Sequence, residues 1–88
     1  MSETLNKIIN YLNNNQLDKA MSLCEENKEK KNEHLIANIK GVILFKKQNY
    51  EQAKVEFLNS IDLDQKFLDP YKNLFKLYIK LEDFKSAI

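Results

Sequence analysis

Residues 49–57 read NYEQAKVEF, and two other stretches share their skeleton: QLDKAMSL at residues 16–23 and EDFKSAI at residues 82–88. In each, a large apolar residue (Leu17, Tyr50 or Phe84) stands three places before an alanine. The alanines Ala20, Ala53 and Ala87 lie 33 and 34 positions apart. Tyr11, Leu44 and Tyr78 stand six places before the three large residues, and Cys24 and Phe57 follow the first two alanines by four. A fixed period of this length is the mark of a stacked repeat, and it outranks local guesses.

The chemistry of the spacing points to helical hairpins. LNNNQ (residues 12–16) and FKKQN (residues 45–49) are short polar connectors, and a tight turn between two helices needs only about 2–5 residues. An alanine just past the turn lets the two helices approach closely. A large side chain four residues later falls on the same face, one turn along. With one glycine and one proline in 88 residues, the chain lacks the turn residues that a sandwich or barrel needs. The spacing therefore predicts an all-α chain with helices over about residues 3–12, 17–28, 33–47, 50–63 and 69–80, and the first turn of a sixth.

The pattern resembles the tetratricopeptide repeat family, in which 34-residue helical hairpins stack into a right-handed superhelix. The middle repeat carries the clearest likeness. Gly41 occupies the small slot of its first helix, Tyr50, Ala53 and Phe57 the slots that follow, and SIDLD (residues 60–64) its usual close. The third repeat matches through Tyr71, Leu74, Tyr78, Phe84 and Ala87, and the first through Tyr11, Leu17 and Ala20. The resemblance implies one domain over residues 1–88 with repeats at about 1–33, 34–67 and 68–88. The last repeat is incomplete, which reads as the N-terminal fragment of a longer protein. Lys40, Gln65 and Phe75 depart from the usual leucine, proline and small residue of their slots. A phenylalanine at 75 predicts a wider helix spacing in the last repeat.

Composition narrows the function. The formal net charge is +1, without the concentrated basic excess of a nucleic-acid binder. The single cysteine, Cys24, reads as a small buried hydrophobe of a reducing compartment. No basic start with an apolar stretch behind it marks a secretory signal, and no run approaches the roughly 18–20 apolar residues of a membrane span. The expectation is a soluble, cytoplasmic protein with no membrane and no nucleic-acid partner. Neither a catalytic constellation nor a cofactor loop is visible. Gly41 is alone and inside a helix, EENKEKKNEH (residues 25–34) reads as an exposed helix end, and the one histidine, His34, reads as a surface residue without a second ligand at metal spacing.

Two features rise above this background. Helix residues 33–47 are apolar nearly all round. Ala37, Gly41 and Leu44 are expected to face the following helix, whereas Ile39 and Val42 fall on the side the resemblance assigns to an inner, concave surface. On the third repeat Lys72, Lys76 and Lys80 form a basic stripe at i, i+4 and i+8, with Asn73 beside it. Such a stripe attracts carboxylates. Leu5 and Ile9 occupy the corresponding inner positions of the first repeat, so the multi-repeat lysine and asparagine clamp by which some family members grip C-terminal carboxylates is absent. The groove candidates are thus Leu5, Ile9, Ile39, Val42, Lys72, Asn73, Lys76 and Lys80.

These readings favour a non-enzymatic protein–protein interaction module, a scaffold presenting a concave groove to a peptide or helix, with an acidic partner suited to the lysines. The alternative is a structural or oligomerisation segment at the front of a larger protein, self-associating as a dimer through its C-terminal end. RNA binding by related 35-residue repeats is disfavoured by the 33 and 34 spacings and the charge.

Overall fold

The computed structural model describes the backbone of residues 3–87 and the side chains of residues 3–82. It is all-α, with no strand among the described residues. The elements are α1 (Glu3–Asn13), α2 (Leu17–Glu26), a 3-10 turn (Lys30–Asn32), α3 (Glu33–Lys46), α4 (Tyr50–Leu63) and α5 (Asp69–Ala87).

The turns α1–α2 and α3–α4 are built alike, 33 residues apart. Each places one non-glycine residue in the left-handed region, Asn15 at φ 61° and Gln48 at φ 67°. The N–H groups of Asn15 and Gln16 donate to the carbonyls of Leu12 (3.0 Å) and Tyr11 (2.8 Å). Those of Gln48 and Asn49 donate to Phe45 (2.9 Å) and Leu44 (2.9 Å). This is the Schellman arrangement, which satisfies carbonyls left open at a helix end. Each new helix then starts at once, with Ala20 and Ala53 donating to Gln16 and Asn49. Both turns fall where the sequence puts them.

Other boundaries are set by short side-chain bonds. α2 was expected to run to about residue 28 but ends at Glu26. Asn27 takes an extended ψ of 130° and its amide donates to the Glu29 carbonyl at 3.2 Å, a local alternative to the helical ladder. α4 stops at Leu63 without the usual proline because extended Asp64 accepts the Lys66 backbone N–H at 3.1 Å. Pro70 opens α5, where a missing N–H is harmless.

The largest departure lies at the end. A third turn over residues 81–83, followed by a sixth helix, does not form, and α5 runs unbroken from Asp69 to Ala87. The position equivalent to Asn15 and Gln48 is Glu82, in the run Leu81, Glu82, Asp83. Leucine and glutamate are good helix formers, and the helix continues through them. The side chains of Phe84 and Ala87, and all of Ile88, lie outside the described residues, as do Met1 and Ser2.

Two apolar clusters hold the helices together, with α3 between them. Leu5 and Ile8 of α1, Ala20 and Cys24 of α2, and Ile36 and Ile43 of α3 form the first. Ala53 and Phe57 of α4 with Leu74 and Leu77 of α5 form the second, against which Val42, Leu44 and Phe45 of α3 pack. This explains why α3 is apolar on most of its circumference: it is buried on more than one side. Gly41 permits the close α3–α4 approach, since a Cβ there would lie closer than 3.0 Å to three carbons of the Phe57 ring. Polar ties reinforce the packing. Ser60 Oγ donates to the His34 carbonyl at 2.7 Å, and Lys47 pairs with Asp18 across the first two hairpins.

Candidate functional site

α3 and α5 lie side by side, joined by a hydrogen bond from Asn73 Nδ2 to Asn38 Oδ1 at 2.9 Å. Alongside this bond opens a cleft of about 300 Å³, lined by Val42, Phe45 and Lys46 of α3 and by Asn73 and Lys76 of α5. Its chemistry is mixed. The side chains of Val42 and Phe45 offer an apolar wall, and the ammonium groups of Lys46 and Lys76 sit on the two helices that flank it. Lys72 and Lys80, both exposed, continue the basic row one turn to either side of Lys76. Long lysine stems also add apolar cover while the charges stay in water. The arrangement can seat an apolar side chain and, beside it, a carboxylate.

Three of the eight residues expected in a groove, Val42, Asn73 and Lys76, are brought together here. Ile39 is half-buried and packs on the first apolar cluster, and Ile9 is half-buried on α1. Leu5 is a correction. It is 3% exposed and lies in the first cluster, because α1 turns this residue with Ile8 onto α2 and α3. It offers no surface to a groove. Phe45, Lys46 and Asn38 belong to the site without having been selected. Phe45 and Lys46 fall within the helix expected over residues 33–47 but also within the connector FKKQN, and Asn38 is a buried polar residue whose partner lies 35 positions away. The available signal was that Lys46 follows Val42 by one helical turn.

His34, expected on the surface, is half-buried. Its ring meets Phe67 edge to face at 5.2 Å and its Nε2 lies 3.8 Å from Asp64. That makes it a clasp between the start of α3 and the loop after α4. Among the described residues no cluster of three or more His, Cys, Asp or Glu is arranged to hold a metal ion, and no helix is long and apolar enough to cross a membrane.

A second cleft, of about 310 Å³, opens between α2 and α4 over α3, with Cys24 at its floor and Glu25, Glu33, Lys40 and Glu56 around it. Burial pushes the Cys24 thiol up to about 11 from 9.0, against a partly opposing pull from Lys40. The thiol is therefore protonated near neutral pH and poorly nucleophilic. Because folding raises this pKa, the protonated thiol contributes stability below pH 9 that is lost as pH rises through 11. A Cys24→Ala variant should lose less stability than the wild type over that window in urea titrations, since all other titrating groups are shared. Equal losses would show that Cys24 ionises as freely when folded as when unfolded.

Comparison with known proteins adds no relative: no family model, no curated protein and no solved structure matches the chain. The groove between α3 and α5 therefore stands on its own geometry.

Proposed function

We propose that this chain is a non-enzymatic protein-interaction module of tetratricopeptide-like construction, two and a half helical hairpins stacking as a right-handed superhelix. Its α3–α5 groove receives a partner segment that carries a carboxylate next to an apolar side chain. The observation that carries the reading is the meeting of Val42 and Phe45 with Lys46 and Lys76 in one cleft. Two further features support the repeat construction: the identical hydrogen-bonded turns at 33-residue spacing and the glycine-to-ring contact between α3 and α4. A single buried thiol fits a reducing compartment, and a cytoplasmic location belongs to the same proposal.

The test is an NMR titration of labelled protein with a short peptide of alternating leucine and aspartate. Shifts are expected at Val42, Phe45, Asn73 and Lys76, weakening as salt is raised because exposed charges are screened over about 8–10 Å near physiological ionic strength. The double variant Lys46→Glu with Lys76→Glu should lose the response, whereas Lys28→Glu, away from the cleft, should keep it. Shifts spread evenly over the surface, or confined to other helices, would refute the groove.

The second reading, a structural or oligomerisation segment, is favoured by a different observation. α4 and α5 leave Val55, Leu58, Tyr71, Phe75, Tyr78 and Ile79 exposed, and the loop between them Leu68, apolar surface of the kind that marks interaction sites when contiguous.

A further inference from the structure

The α3–α5 groove differs in charge from one end to the other. From the Asn38–Asn73 bond the cleft runs toward later residues of both helices, Val42, Phe45 and Lys46 on α3 and Lys76 on α5. The two helices therefore point the same way beside it. One turn before the bond the charges are acidic. Asp69 stands exposed at the start of α5. Asp64, in the loop before it, lies 3.8 Å from Nε2 of His34 at the start of α3. At the other end Lys46 and Lys76 flank the cleft, and exposed Lys80 follows Lys76 by one turn. Lys66 near the first end and Glu82 near the second, both exposed, soften this contrast without reversing it.

Distance decides whether a partner senses the difference. Positions 69 and 80 are about 16 Å apart along a helix that rises 1.5 Å per residue. Charges are screened over about 8 Å at physiological ionic strength, so the two ends act separately whereas neighbouring lysines merge into one field. The half-charge of a helix N-terminus opposes the acidic end, but it is smaller than a carboxylate's charge and fades within the first turn. Size decides the form of the occupant. One turn of helix, about 10 Å across and 5.4 Å long, fills roughly 420 Å³, more than the cleft's volume of about 300 Å³. An extended segment is slimmer, and its side chains alternate between two faces. That alternation matches two walls of different chemistry, Val42 and Phe45 on α3 and the lysine row on α5.

With the groove taken as the binding site, we propose that its occupant is an extended segment held in one orientation by the order of its charges. Carboxylates on alternate residues lie at the Lys46, Lys76 and Lys80 end, the apolar residues between them face Val42 and Phe45, and a basic stretch lies at the Asp69 end. The opposite placement sets the basic stretch against three lysines and the carboxylates against Asp69, and like-charge juxtaposition of this kind excludes wrong partners. The groove thus selects a sequence of charges and not only a total charge.

The test uses NMR of the full chain with the end-blocked peptide KLKLDLD, carrying a nitroxide at either its basic or its acidic end. The basic-end label is expected to attenuate the amide signals of His34 and Asp69 more than those of Lys46 and Lys80, and the acidic-end label the reverse. The reversed sequence DLDLKLK should again place its acidic end at Lys80, because charge and not chain direction is selected. Asp69→Lys should lose the discrimination with its helical circular dichroism unchanged, since the exposed side chain it replaces makes the first end acidic. Labels that attenuate both ends alike in the wild type, or a basic end found at Lys80, overturn the orientation and leave the groove standing. Full discrimination retained by Asp69→Lys overturns the part given to Asp69. Absence of any shift at Val42, Phe45, Asn73 and Lys76 with either peptide overturns the groove itself, and the orientation with it.

Discussion

Replacing Phe57 with alanine is expected to cost about 3–5 kcal/mol, the range for deleting a buried aromatic ring. Phe57 is 1% exposed and is the side chain through which three helices meet. It projects from α4, lies on Gly41 of α3, and shares its cluster with Leu74 and Leu77 of α5. The void left behind cannot collapse readily, because filling it means moving α3, which is also bound on its far side to the first cluster. For 88 residues a total stability of about 4–13 kcal/mol is ordinary, so the variant approaches the threshold of unfolding. Urea denaturation followed by circular dichroism measures the loss. A cost below about 1 kcal/mol would mean that Phe57 does not join the helices.

The second large effect comes from adding a single methyl group. In an exposed helix, glycine to alanine stabilises by about 1 kcal/mol, and Gly41 sits in the middle of α3. The opposite sign is expected here. The added Cβ would lie closer than 3.0 Å to Cε1, Cδ1 and Cζ of Phe57, and the ring is walled in and cannot swing away. Overpacking of a filled core costs about 1–3 kcal/mol, occasionally more, enough to outweigh the propensity gain. Gly41→Ala should therefore lower the melting temperature. In a Phe57→Leu background the same substitution should cost less, because the smaller side chain leaves room. Contacting residues show coupling of about 0.5–3 kcal/mol in such cycles. Strict additivity, or a stabilised Gly41→Ala protein, would remove the close α3–α4 approach from the fold.

On α5 the groove takes Asn73 and Lys76, on the edge turned to α3. α5 itself is packed through Leu74 and Leu77.

Local chemistry by itself determined much of this protein. The all-α character, the two hairpin turns and the pairing of Gly41, Ala53 and Phe57 were legible because each depends on residues within about one turn or one 34-residue period. Those distances are visible as spacing. The repeat pattern also suggested a third turn before Phe84, and here it misled. Spacing marks where a turn would fall, not that it forms, and Leu81, Glu82 and Asp83 continue α5. Only the tertiary structure decided the site. The lysine row of α5 could be read from its four-residue steps, yet its nearest neighbours, Val42, Phe45 and Lys46, are set by how α5 slides along α3, which the Asn38–Asn73 bond pins. Leu5 was assigned to a surface and lies in the core, because periodicity gives the apolar face of a helix but not which neighbour that face meets. Which helix lies against which is a property of the packed whole, decided by shape and buried area summed over all of them.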